Sequence, residues 1–187
     1  MDSTAHITTY ISLFEHEDHS TLASVSVVQH DRGSCAEVVF FRSEGADGTA
    51  IISTNARVKR RFPRRPGQHA LSFPELSDPT ALLAVHRFRI RDRSGDRSPR
   101  AITRLPDPVA YQRREALEAF DHFLRIGYYR RAPNETMRLT PKGAVCTVWR
   151  GKFPWAQFTD WRDGRTRRVV LARYAAAKAA GTDSAAA

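Results

Sequence analysis

A chain of 187 residues, 41% of them hydrophobic, is long enough to close one domain around its own core, with or without a helical extension. Its two cysteines, Cys35 and Cys146, are too few for a disulfide scaffold, no apolar run reaches the roughly 18 residues a membrane span needs, and residues 1–20 lack the regions of a signal peptide. The formal net charge of +10 is unevenly spread: residues 1–56 hold two bases against eight acids, a net of −6, and residues 57–187 hold 28 bases against 12 acids, a net of +16.

These bounds lead to the expectation of a cytoplasmic, bacterial-type protein with two reduced thiols packed as small apolar groups. Arginine makes up 26 of the 30 bases. Its planar fork matches phosphate bidentately. A GC-rich genome also inflates arginine, but codon bias does not explain the difference between the two parts of the chain.

Residues 1–56 read as β. "HITTYISLF", "TLASVSVVQ", "CAEVVFFRS" and "TAIISTN" are short runs rich in Val, Ile, Thr and Phe, bounded by Gly, Asp and Ser. Asp47-Gly48, between the last two, is a hairpin signal, and a four-stranded antiparallel meander follows. His16-Glu17-Asp18-His19 gathers two histidines and two acids, but the short spacing and the lack of a distant partner do not suit zinc. We read it as a polar turn and expect neither metal nor other cofactor.

Residues 57–75, with three prolines and six bases between Arg57 and Arg65, read as an exposed basic loop. Either it is a solvated connector or it offers Arg60, Arg61, Arg64 and Arg65 to an anion. Asp78 then caps and Pro79 opens a helix running to about residue 90, with Leu82, Leu83, Val85 and His86 on its apolar face. The alternation of "RFRIRDR" keeps a strand open for residues 85–93, with its arginines about 6.6 Å apart on one face. His86 fits a satisfied, half-buried histidine better than a base. Residues 94–106 read as loop.

The next helix is the clearest in the chain. Asp107 caps it, Pro108 takes the first position and Gly127 ends it, and Ala116, Leu117, Phe120, Phe123 and Leu124 keep the spacing of a buried face. A hairpin around Pro133-Asn134 follows. Thr140-Pro141 starts another helix with Ala144, Val145, Val148 and Trp149 inward and Gly151 as its stop. The last helical region carries Trp155, Phe158 and Trp161. Within it, "DGRTRR" at 163–168 is either a phosphate-binding turn or part of a basic helix, kinked or straight at Gly164. The helix is the better reading, since Arg162, Arg165 and Arg168 then form one stripe. Residues 181–187 read as a frayed tail.

The order makes the chain α+β: an N-terminal antiparallel β-meander followed by helices with an inserted β-hairpin. The expected division is residues 1–76, the meander with its basic loop, and residues 77–187, the helical region, within one compact domain.

Two stretches resemble known families. "FDHFLRIGYYRRAPNETMRLTPKGAV", residues 120–145, resembles the wing of winged-helix DNA-binding domains, where a helix ends in Gly, a strand with Arg-Arg runs out, and "LTPKG" leads into the next helix. That resemblance implies Arg130 and Arg131 on a projecting hairpin beside DNA. "DGRTRRVVLARYAAAKAAG", residues 163–181, is similar to the turn and Ala-rich helix of the ParB/sulfiredoxin superfamily of plasmid partition and plasmid-conflict proteins. It implies Gly164 at the turn and Arg167 or Arg168 on an anion.

The phosphate-loop, dinucleotide, nucleophile-elbow and zinc-protease motifs are all missing. The leading expectation is therefore a small basic protein that binds nucleic acid, DNA in first place. Arg60, Arg61, Arg64, Arg65, Arg130, Arg131, Arg165, Arg167 and Arg168 would sit on phosphates. The alternatives are a non-catalytic protein docking on an anionic membrane or an acidic partner, and a plasmid-conflict DNase of the fertility-inhibition kind.

Overall fold

The computed structural model describes residues 7–15, 20–30, 35–45, 47–57, 63–94, 107–132, 136–152 and 154–181. The motif at His16–His19, the stretch 95–106, the hairpin tip at Pro133-Asn134 and residues 182–187 lie outside them, and so does the side chain of Cys35.

The expected meander is present as β1 (Ile7–Glu15), β2 (Leu22–His30), β3 (Cys35–Glu44) and β4 (Ala50–Thr54), each antiparallel to the next. Asp47-Gly48 sits in the β3–β4 turn, where Asp47 Oδ1 accepts from Thr49 N at 2.9 Å. Period-two patterning sets the register: Val39, Phe41 and Ser43 on alternate positions of β3 are all buried. β4 is buried along its whole length, as suits the uninterrupted run "AIIST".

The basic loop expected over 57–75 is corrected at its C-terminal end. Residues 68–72, "QHALS", form a fifth strand, β5 (Gln68–Ser72), parallel to β4, and the sheet order is β1-β2-β3-β4-β5. A parallel neighbour needs a long crossover, and residues 55–67 supply it. Leu71 and the following Phe73 are buried, so this short apolar pair outweighs the surrounding prolines and bases.

α1 (Pro79–Ser94) is helical throughout, which settles the helix-or-strand alternative for residues 85–93 and extends the helix past residue 90. Asp78 caps it, accepting from Thr80 N at 2.9 Å and Ala81 N at 3.3 Å. Leu82, Val85, His86, Arg89 and Ile90 recur at helical spacing and are all buried, so the face toward the sheet overrides the local alternation of arginines. The core joins Val39 and Phe41 of β3, Leu71 and Phe73, and Leu82 and Val85 of α1, with Val170, Leu171 and Tyr174 packed against it.

Later come α2 (Pro108–Arg125), the hairpin β6 (Tyr129–Arg131) and β7 (Met137–Leu139), α3 (Pro141–Gly151) and α4 (Trp155–Ala179). The chain forms two compact units. One compact unit holds residues 1–57, 67–108 and 167–187, and the other holds 58–66 and 109–166. The basic segment after β4 thus belongs to the helical unit, and α4 supplies its first half to one unit and its second half to the other.

The faces expected to be inward on α2 and α3 are corrected. Ala116, Leu117 and Phe120 are exposed, as are Val145, Val148 and Trp149. Phe123, Leu124 and Ala144 are half-buried. Helical periodicity identifies an apolar face, but not what covers it.

Candidate nucleic-acid interface

Seven of the nine candidate arginines fall on described residues, while Arg60 and Arg61 lie outside them. In the helical unit Arg64 and Arg65 are engaged internally. Arg64 Nη2 donates to both carboxylate oxygens of Asp163, at 3.2 and 3.4 Å, and its Nε is buried without a hydrogen-bond partner. Burial lowers the Arg64 pKa from its ordinary value, and Asp163 opposes that shift. Arg65 Nη2 donates to Glu115 Oε2 at 2.9 Å and its Nη1 to the Glu115 carbonyl at 3.3 Å, with Glu118 Oε2 3.6 Å away. A phosphate at either residue would have to displace a carboxylate already in place.

Arg167, in the unit that holds the sheet, is also engaged. Its Nε pairs with Glu75 Oε1 at 3.1 Å and its Nη1 donates to Ser72 O at 3.3 Å. Arg165 and Arg168 are exposed, and the Arg165 guanidinium lies 5.9 Å from the centre of the Trp161 ring. α4 passes through Asp163-Gly164 as helix, and Thr166 Oγ1 donates to the Arg162 carbonyl at 3.0 Å. Residues 163–168 therefore present a helical stripe rather than a turn with free amides.

The hairpin carries three exposed arginines, Arg130, Arg131 and Arg138. β6 and β7 pair antiparallel with Tyr129 opposite Leu139, Arg130 opposite Arg138 and Arg131 opposite Met137. Arg130 and Arg138 are both exposed. Directly opposed side chains stand about 4.5–5.5 Å apart at Cβ, and like charges placed so destabilise the pair. Arg131, on the other face and 69% exposed, has Asp121 Oδ1 at 3.9 Å. Arg138 is a functional candidate that the reading of the sequence missed. Counting outward from Asn134 pairs it with Arg130, and that was the available signal.

The base of the hairpin explains "LTPKG" in structural terms. Gly127, at φ +73°, ends α2 in the left-handed conformation, with Gly127 N donating to Leu124 O and Tyr128 N to Phe123 O. The Phe123 and Tyr128 rings stack with centres 6.5 Å apart, supplying the apolar contact of such an end. Thr140 caps α3: its Oγ1 accepts from Gly143 N at 3.0 Å and donates to Gly127 O at 2.7 Å. Lys142 Nζ donates to Ile126 O at 2.6 Å, a cation on the exposed carbonyl end of α2. Cys146 Sγ lies 2.9 Å from Tyr128 Oη, and this contact raises the Tyr128 pKa.

A Cβ at Gly143 would stand 2.2 Å from the Tyr128 carbonyl oxygen. Gly143→Ala is therefore expected to destabilise by about 1–3 kcal/mol, through backbone displacement at the foot of the hairpin. Urea titration of both variants checks this: Gly151→Ala, which meets nothing within 4 Å, should stay within about 0.5 kcal/mol of the parent.

The unit that holds the sheet contains a buried polar chain. Thr21 Oγ1 lies 2.9 Å from Ser43 Oγ, Ser43 Oγ 3.1 Å from His86 Nε2, and His86 Nδ1 2.9 Å from Ser53 Oγ. Arg89 Nη1 donates at 2.6 Å to both Ser53 Oγ and Ile52 O, and Nη2 donates to His69 O at 2.7 Å. Ser43, Ser53 and His86 have no exposed surface. The trio has the residue types of a serine nucleophile with its base, but no substrate atom reaches it. Burial first, then the charges of Arg89 and Arg87, depress the His86 pKa to about 3, so its imidazole is neutral. This is a satisfied buried network that ties α1 to β3 and β4.

Among the described residues no helix is long and apolar enough to cross a membrane, and no group of three or more His, Cys, Asp or Glu could hold a metal ion. The fold and its surface define an α+β protein whose helical unit carries an arginine-paired hairpin. No family model, curated protein or solved structure matches the chain.

Proposed function

We propose that this is a cytoplasmic nucleic-acid-binding protein, with DNA as its first candidate ligand, that grips phosphates with the β6–β7 hairpin. The observation that carries the reading is the cross-strand placement of Arg130 against Arg138, both exposed. Like charges on directly opposed strand positions repel, and a bound phosphate accepting from both forks would convert that repulsion into binding energy. Exposed Arg131 on the other face, and Arg165 and Arg168 on α4, extend the supply of unburied cations. The likeness of residues 120–145 to a winged-helix wing agrees with such a use. Contacts of this kind supply affinity and register rather than base readout.

The reading is tested by titrating the protein with labelled duplex and single-stranded DNA and RNA over a salt series. Binding that weakens steeply, with log K falling by about 0.9 per log unit of salt for each phosphate engaged on duplex, is expected. No binding at about 50 mM salt, a condition that favours such contacts, would defeat it.

A further inference from the structure

We infer that the first half of α4 is a stacking platform for unpaired bases, so that the ligand is single-stranded nucleic acid, an inference that rests on nucleic-acid binding as proposed above. Trp155, Phe158 and Trp161 are 37%, 49% and 54% exposed and follow one another at every third residue of the helix. Their rings form a ladder. The centres are 5.8 Å apart from Trp155 to Phe158 and 6.1 Å apart from Phe158 to Trp161, with the planes inclined by 37° and 30°. An arginine stands at each end. The Arg150 guanidinium lies 6.0 Å from the centre of the Trp155 ring, and that of Arg165 lies 5.9 Å from the centre of the Trp161 ring.

The charges beside the rings identify the ligand. At about 100° per residue, Trp155, Phe158, Trp161, Arg162 and Arg165 share an arc of about 120° on the helix. The two acids of this stretch, Asp160 and Asp163, fall about 80° or more outside that arc, and Asp163 is held by Arg64. Arg162 and Arg165 are exposed, and among the described residues neither meets a carboxylate. The face is therefore aromatic and cationic with no negative charge of its own, which suits planar bases carried on a phosphate chain. A duplex hides the faces of its bases in the stack, whereas an unpaired strand offers them. A lipid surface is the poorer fit. A helix lying in the interface keeps its charged heads on a polar side, and here Arg162 and Arg165 stand among the rings.

The test follows the tryptophan fluorescence of the full chain, whose three tryptophans are Trp149, Trp155 and Trp161. It is titrated at low salt with oligothymidylate of about 20 nucleotides, long enough to cover a typical single-strand site, and with a duplex of the same length. Oligothymidylate should quench the emission as it binds. Phe158→Leu and Trp161→Leu, both at exposed positions, keep apolar bulk and remove a ring, and their circular dichroism should match the wild type. Each should weaken oligothymidylate binding about tenfold while duplex affinity stays within about twofold. An oligothymidylate affinity that both variants leave unchanged, or a loss that falls equally on the duplex, overturns the inference and leaves phosphate binding by the hairpin standing. Failure of the nucleic-acid reading itself looks different: neither strand form binds, and both proposals fall. A wild type that binds vesicles of phosphatidylserine and phosphatidylcholine but not oligothymidylate overturns the inference in favour of a lipid surface.

Discussion

Between about pH 6 and pH 4 the free energy of unfolding is expected to fall by about 1.4 kcal/mol per pH unit through His86 alone. The folded protein holds this histidine at a pKa of about 3, against an ordinary 6.5. Across that window the unfolded chain binds a proton that the folded chain does not, so stability rises with pH. The contribution is fully present above about 6.5 and is lost as pH falls toward 3. Over the whole interval it amounts to several kcal/mol, a large share of a typical domain stability of about 5–15 kcal/mol.

The hydrogen bonds state why protonation costs so much. Arg89 has only donors, so Ser53 Oγ accepts from it. The set is satisfied when the Ser53 hydroxyl donates to His86 Nδ1 and Nε2–H donates to Ser43 Oγ. A second proton, on Nδ1, would face that hydroxyl hydrogen in a dry site beside the Arg89 guanidinium. Carboxylates lose their charge in the lower part of the same range, and burial, followed by Arg125 and Arg65, lowers the His122 pKa as well. The variant His86→Gln separates these effects, because a Gln amide can both accept and donate between the two serines and does not titrate. Urea unfolding at each pH should give the wild type one proton more of slope than His86→Gln. Equal slopes would mean that His86 takes up a proton without unfolding, and that the interface of α1 with the sheet admits water.

What the sequence made legible, and what it did not, divides along physical lines. Strands β1 to β4 and the starts of α1 and α3 announce themselves, because β-branched runs, an Asp-Pro cap and a Thr-Pro cap act locally. β5 was hidden because its pairing is non-local: Gln68–Ser72 is held by β4 across a long crossover and by burial of Leu71 and Phe73. The arginine alternation of α1 reads as strand in isolation, and only the apolar face toward β3 and β4 decides for helix. Among the candidate arginines, sequence could show where positive charge accumulates but not where it is already neutralised. Arg64, Arg65 and Arg167 look as available as Arg130 until Asp163, Glu115 and Glu75 are placed beside them. Those partners are far away in sequence, so no local pattern reveals them. Arg138 shows the opposite case: a single base in the sequence becomes half of a charged pair once the strand register is known.

That register makes Arg138→Glu expected to move stability and binding in opposite directions. Facing Arg130 across the hairpin, a glutamate replaces a like-charge pair with an opposite-charge pair, which should stabilise the hairpin by about 0.2–1 kcal/mol. The same change withdraws one phosphate partner and neutralises another, so nucleic-acid affinity should drop by roughly tenfold or more at low salt and the salt slope by at least about one. Reversing both residues, Arg130→Glu with Arg138→Glu, restores a like-charge pair and removes the stability gain. Binding should then fall about a hundredfold or more, with the salt slope reduced by about two. A residue kept only for the fold would not behave this way, since its loss should not raise the unfolding midpoint. If Arg138→Glu raises the midpoint while affinity and salt slope stay at wild-type values, the hairpin does not touch phosphate. The binding surface would then have to be sought on the exposed arginines of α4.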